Sequence, residues 1–312
     1  SVFAEYARRF GKVQAQAGVR YEHVTSDYYE YGKKVEEQSR KYDNFFPSLA
    51  LSFPLGKVQM QLAYRASIKR PSYWDLRGNI TYANRYTYET GNPLLQPTTI
   101  QSLSLNTIYR WMSLSLSYNH YKNDYTSYVR AYSEENPTIG LLTREHIAPY
   151  NRLSASLTLS PVIGKWSPRW GVQVQRYDCK VDTPRGVETF DNPLAILSWR
   201  NTVKFTDSFW INADAYYQTK SQTDNTEYLE NSWYMNLNLY KGFLNNRMSL
   251  QLQVTDLFNT RKSHVLMYSG LRTMELDNEM HRTVSLTFRY KFNPTKSKYK
   301  GTGAGQSQKA RM

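Results

Sequence analysis

Few residues of this chain are placed to do covalent chemistry. The five histidines, His23, His120, His146, His264 and His281, are scattered and share no metal-site spacing. Cys179 is the one cysteine, so no disulfide can close within the chain. Lys180 beside it could favour a thiolate, but an inert thiol is the simpler reading. The run Gly301-Thr302-Gly303-Ala304-Gly305 follows no strand-to-helix step and lacks the lysine of a phosphate loop. No serine–histidine set and no paired acid and base stand out, so the chain is not expected to be an enzyme or to hold a cofactor or metal. The segment 70–97 is different. Arg70, Tyr73, Trp74, Arg77, Tyr82, Arg85, Tyr86 and Tyr88 mix hydrogen-bond donors with flat apolar surface. That mixture suits binding, of sugars, aromatic chelates or peptides equally. Its plain alternative is a tyrosine-rich external loop.

The formal charge is +14, with many interleaved tyrosines, which could suggest a nucleic-acid partner. The basic residues alternate along the chain and gather in its last twenty residues instead of forming one stripe, so no nucleic acid is expected. Attraction to anionic lipopolysaccharide accounts for basic external loops more simply.

What would position a binding loop is the alternation around it. Over 58–69, Val58, Met60, Leu62, Tyr64, Ala66 and Ile68 alternate with Gln59, Gln61, Ala63, Arg65, Ser67 and Lys69. A helix would mix these sets on every face, whereas a strand separates them. The same period of two recurs at 13–22, 112–119, 152–159, 232–239, 248–254 and 284–292. Weaker strands are expected near 1–9, 44–53, 98–109, 169–181, 193–205 and 209–221, which brings the count to thirteen. The pattern blurs in 193–205, where Asn201 falls on the apolar side.

The connections alternate as well. Short links lie near 10–12, 54–57, 110–111, 161–168, 205–208 and 243–247. Long ones lie near 26–43, 70–97, 125–146, 182–192, 222–230 and 261–280. A propeller or an immunoglobulin-like sandwich has no such strict rule. An outer-membrane barrel has it, with tight periplasmic turns and long external loops. The polar face is almost unbroken Ser, Gln, Asn, Thr and Arg, and aromatic residues sit near strand ends as an interfacial girdle would. A soluble sheet with one wet face also alternates and is the competing architecture. Mean hydropathy is −0.68, and no apolar run reaches the roughly 18 residues of a membrane helix. Neither fact bears on a barrel.

Arg20, Arg65, Lys69, Arg152, Arg200, Lys204, Arg289 and Lys291 lie on the polar face against only Glu22 and Asp214. In a wet pore these charges would favour anions; in a plugged barrel they would pair with acidic groups of the plug. Residues 293–312 are rich in Lys, Gly, Ser and Thr with no acid, and are read as a basic, disordered periplasmic tail after a barrel portion at 1–292.

Several short motifs together resemble the C-terminal barrel portion of a TonB-dependent outer-membrane receptor of the Bacteroidetes kind. They are Ala17-Gly18-Val19-Arg20-Tyr21-Glu22, Phe46-Pro47-Ser48-Leu49, Arg70-Pro71 followed by Gly91-Asn92-Pro93-Leu94-Leu95-Gln96-Pro97, and Val254-Thr255-Asp256-Leu257-Phe258-Asn259. The final Leu286-Thr287-Phe288-Arg289-Tyr290-Lys291-Phe292 is similar to the signal read by the barrel assembly machinery, with Phe288, Tyr290 and Phe292 as its aromatic positions. The tail run Lys298–Gly305 also resembles tails of this group. The resemblance implies an all-β fold, a transmembrane antiparallel meander β-barrel of which about thirteen strands are present.

Receptors of this kind have about 22 strands and a plugged lumen. The resemblance therefore implies some nine strands, the plug and the TonB-engaging motif upstream of Ser1. The opening SVFAEYARRF has no basic or apolar export region, so an export signal would also lie upstream. The implied function is uptake of a scarce nutrient (glycan, metal chelate, vitamin or peptide), driven through TonB. The alternative is an adhesin or passive porin without energy coupling. The implied partners are the TonB system, the barrel assembly machinery, lipopolysaccharide and outer-membrane lipid, and a surface lipoprotein.

The motif residues also have local readings. Pro71, Pro93 and Pro97 lack a donor and belong outside the ladder. Gly91-Asn92 suits a tight turn with positive φ, and Asn259 is expected to end a strand by turning on its own side chain.

Overall fold

The computed structural model describes residues 1–36 and 39–292. Thirteen strands pair antiparallel in chain order. They are Val2–Phe10, Val13–Ser26, Arg40–Leu55, Val58–Lys69, Thr98–Tyr109, Met112–Lys122 and Tyr150–Leu159, then Trp166–Thr183, Leu194–Thr206, Phe209–Gln218, Ser232–Phe243, Met248–Thr255 and Thr283–Tyr290. A fourteenth, Gly186–Phe190, pairs with the outer end of Trp166–Thr183. The sheet is an open meander: Val2–Phe10 and Thr283–Tyr290 form its edges, and no pairing joins them among the described residues.

The register shows why the alternation is so clean. One row of directly paired residues runs Ala15, Leu51, Leu62, Leu105, Leu116, Ala155, Val174 and Ala195 across eight strands. The next row is Gln14, Ser52, Gln61, Asn106, Ser115, Ser156 and Gln173. A slip of one residue on any strand would put a leucine among the glutamines. The apolar face stays open: Leu49, Leu62, Leu103, Leu153, Trp199, Trp233 and Leu286 are all exposed large apolar side chains. A contiguous apolar face of this size needs a lipid solvent. Asn201 on that face takes the indole N–H of Trp166 at 3.1 Å, which satisfies the one polar side chain that blurred the pattern.

Short turns close the lower end. Gly11 and Gly56 stand first in two-residue turns with φ of 59° and 62°, as tight hairpins require. Several strands outrun their expected bounds at both ends: 44–53 becomes Arg40–Leu55 and 169–181 becomes Trp166–Thr183. The last strand is shorter than expected. It ends at Tyr290, and Phe292 lies beyond it, 86% exposed, its ring edge-on to Tyr290. The tail at 293–312 lies outside the described residues.

Half of the eight cations of the polar face find a partner within the wall. Glu22 bonds both Arg20 and Arg70, and Arg200 pairs with Asp214. The Arg152 guanidinium lies over the rings of Tyr121 and Tyr177, and the Lys69 ammonium over Tyr125. Arg65, Lys204, Arg289 and Lys291 make no ion pair among the described residues.

Candidate functional site

The long connections are folded, not irregular. Residues 81–84 and 87–89 form a hairpin, and Gly140–His146 pairs parallel with Thr87–Glu89 and antiparallel with Tyr125–Ala131. A second small sheet joins Ser221–Gln222, Thr226–Tyr228, Lys262–Ser269 and Arg272–Glu279. The two sheets are bonded to each other. Arg272 reaches Thr87 Oγ1 at 2.9 Å and the Tyr86 carbonyl at 2.6 Å, and Ser269 donates to the Ser127 carbonyl at 2.8 Å. Together they make a canopy over the outer end of the wall.

Under it lies the main apolar cluster: Tyr121, Tyr150, Cys179, Val181, Phe190 and Tyr268. Phe190 is 0% exposed. Cys179 sits inside this cluster at 1% exposure, so the thiol is packed away from solvent despite the neighbouring Lys180.

The segment 70–97 is anchored at Asp75. Its carboxylate accepts from Ser72 at 2.7 Å, Arg144 Nε at 3.1 Å and the Tyr125 hydroxyl at 3.3 Å. Burial pushes the Asp75 carboxyl up, but the Ser72 bonds and the Arg144 guanidinium outweigh it and hold it below its ordinary value. The Asp75 carbonyl takes the Asn92 N–H, and Asn92 Nδ2 donates to the Arg144 carbonyl. Gly91 is a glycine for closeness, not for positive φ: it is absent from the positive-φ residues, and a Cβ there would meet the Asp75 oxygen at 2.5 Å. In the other motif the expected roles shift by three residues. The carboxylate that turns the chain is Asp256, 1% exposed, which accepts the N–H groups of Thr260 and Arg261; the Asn259 side chain instead accepts from Arg282 N.

The eight residues expected to form a ligand loop sort into separate contacts. Arg70 is spent on Glu22. The Arg77 guanidinium stacks on Trp74 at 3.5 Å and lies 3.6 Å from Glu89. Two of its nitrogens are buried without a partner beside a void of about 20 Å³, room for one water. Tyr88 stacks on Tyr132 and meets Tyr82 edge-on, while Arg85 lies over Tyr86. Tyr73 is 93% exposed. No one cavity gathers them.

A cavity of about 250 Å³ lies instead between the canopy strands, walled by Tyr125, Tyr128 and Tyr268. Asp124, Glu145, Asp182 and Asp224 line it, with Lys180 the one ammonium. Asp124 is engaged, accepting from the Tyr150 hydroxyl at 2.8 Å. Asp124 and Glu145 share one connection, Lys180 and Asp182 lie at the outer end of Trp166–Thr183, and Asp224 and Tyr268 come from two further connections, so no local motif announces the set. His264 is also less isolated than its sequence suggests. The register sets it opposite Asp277, and its Nε2 lies 2.6 Å from exposed Glu275.

An open meander with a lipid-facing apolar wall, tight turns at one end and a folded canopy at the other defines the wall of a transmembrane β-barrel of the outer membrane. Residues 1–290 match the model of the outer membrane protein beta-barrel family, and the chain belongs to that family.

Solved structures share the fold. The ferric enterobactin receptor of Pseudomonas aeruginosa, in a mutant form, matches with a TM-score of 0.57 at 16% identity, over 92% of this chain and 44% of its own. The siderophore receptor PirA of Acinetobacter baumannii gives 0.56 at 12%, over 92% and 45%. The FrpB iron transporter of Neisseria meningitidis gives 0.61 at 13%, over 93% and 44%. The chain thus spans less than half the length of these structures. A comparison with curated protein sequences finds no match.

Proposed function

We propose that this chain is the C-terminal barrel part of a TonB-dependent outer-membrane receptor, of the Bacteroidetes kind its motifs resemble. In this reading the receptor captures a scarce nutrient (a glycan, metal chelate, vitamin or peptide) and imports it. The observation that carries the reading is the hydrogen-bonded canopy closing over one end of the wall. A passive pore has no need to tie its outer connections together through Arg272, Ser269 and Asp75.

The rest of the machinery belongs to the same reading. A plug from elsewhere in the receptor meets the unpaired Arg65, Lys204 and Arg289 of the polar face. TonB draws on that plug with energy from the inner-membrane proton gradient. The barrel assembly machinery reads Phe288 and Tyr290, on the lipid face of the edge strand, and Phe292, two residues past its end. Lipopolysaccharide surrounds the outer end, and a surface lipoprotein is the partner that would seat on the canopy.

The test is uptake of labelled nutrients by cells that carry or lack the intact receptor, with and without a protonophore. Energy-dependent uptake lost with the gene supports the proposal. Uptake that persists under the protonophore would identify a passive porin instead.

A further inference from the structure

The cavity between the canopy strands has a chemistry of its own, and its role as a ligand site rests on the proposed receptor function. Its inventory is one of acceptors. Glu145, part-buried, and Asp182 and Asp224, both exposed, line it from three separate parts of the chain, and none of their carboxylates makes a hydrogen bond or ion pair among the described residues. Carboxylates accept only, so whatever they bind must donate.

The remaining wall groups do not supply those donors. His146 takes the Gln96 N–H on Nε2 at 2.9 Å and faces the Asn123 carbonyl with Nδ1 at 3.1 Å, so both ring nitrogens are engaged. The Tyr268 hydroxyl is turned away to Glu227 at 2.7 Å. Asn225 gives its amide N–H groups to Thr126 and the Tyr268 carbonyl. Lys180 is the one cation against four lining carboxylates, in a chain whose overall charge is +14. Tyr128 lines the cavity together with Asp182 and Glu145, and burial, then those two carboxylates, raises its hydroxyl above its ordinary value. Gly270, with φ of 63°, lets the backbone pass against Tyr128 where a Cβ would clash at 2.7 Å. The ring is thus held in place as a wall. A tyrosine face flanked by unpaired carboxylates attracts an ammonium or guanidinium group by charge and by the ring quadrupole together.

We infer that this cavity binds the cationic head of the ligand, an ammonium or guanidinium carried by a basic peptide or a polyamine, and rejects anionic chelates. Its volume of about 250 Å³ fits one such head with its stem, not a whole drug-sized ligand.

The experiment is titration calorimetry on the intact receptor in detergent, with trilysine, spermidine and triglutamate as probes. Trilysine, spermidine or both should bind, and triglutamate should not; which of the two cations binds more tightly tells peptide from polyamine. The variant Glu145→Gln/Asp182→Asn/Asp224→Asn should weaken cation binding about tenfold or more. Lys180→Gln should strengthen it, since it removes a like charge. That opposite sign cannot come from misfolding, and heat-modifiable migration checks the fold of both variants.

Unchanged cation affinity in the triple variant, no cation binding at all, or a preference for triglutamate would overturn the inference. Cation binding alongside protonophore-insensitive uptake would sink only the transporter reading. Energy-dependent uptake with a cavity indifferent to cations would sink only this one.

Discussion

The strand Trp166–Thr183 carries its apolar residues on one face in its lower half and on the other face in its upper half. Val172 and Val174 share the lipid-facing rows with Leu157 and Ala155. Four residues higher, Tyr177, Cys179 and Val181 lie on the opposite face, with Cys179 and Val181 in the buried cluster and Tyr177 packed against it. Arg176, Asp178, Lys180 and Asp182 alternate with them on the other face of the strand. Neighbouring strands do the same. Leu116 and Tyr118 give way to His120 and Lys122, while Tyr121 turns inward to the cluster; Tyr21 gives way to His23, which is bonded to Asp43. The backbone does not change between the two regions; the solvent does. Against lipid the apolar side must face out, and the polar side faces the lumen. Above the membrane both sides meet water, and apolar side chains are stable only where the canopy covers them.

The comparison can be broken most directly at the covered end. Phe190→Ala should cost the canopy about 3–5 kcal/mol, because a fully buried ring would leave a cavity. Protease cutting at 180–190 and 262–279 should rise while heat-modifiable migration of the barrel persists. If the wall also failed to assemble, the two regions would be one folding unit.

Next in size is the wall itself. Leu62→Arg should cost about 2–4 kcal/mol near the bilayer midplane, whereas Gln61→Arg, on the polar face, should be far milder. Refolding titrations into lipid vesicles measure both. Equal costs would mean that neither face meets lipid.

A smaller effect sharpens the picture inside the canopy. Gly91→Ala would force its Cβ against the backbone oxygens of Asp75 and Arg77, at roughly 1–3 kcal/mol for overpacking. Hydrogen exchange over 72–92 should quicken, with no change at the Phe190 cluster.

The smallest effect is one of pH. The Asp75 carboxyl is held below its ordinary value in the folded chain, so its contribution is present above about pH 4 and fades as the pH falls through the folded pKa. Exchange over 72–92 should therefore rise a few-fold on acidification below that point. In Asp75→Asn it should already be raised at neutral pH and respond little to acid. A wild-type loop indifferent to acid would remove Asp75 from the anchor.

All thirteen wall strands could be located from residue types, seven of them by clear alternation, because lipid on one side and polar surroundings on the other impose period two. The segment 58–69 needs no neighbour to declare both its faces. The strand expected at 169–181 read weakly for a physical reason: its apolar residues change sides at Arg176, and a single-phase pattern cannot describe it. Asp256 and Gly91 stood within recognisable motifs, yet their roles there depended on partners at Thr260, Arg261 and Asp75. The aromatic and basic residues of 70–97 are real, but whether they point to a ligand or to one another is not a local property. Trp74 and Arg77 stack together because Asp75 fixes the turn between them. The cavity at Tyr128 was beyond any local reading. Its carboxylates come from positions 124, 145, 182 and 224, and only the pairing of distant loops brings them within reach of one ligand. Short-range alternation records the solvent on each side of a strand; a site made of several separate segments records their packing, which no single stretch of chain contains.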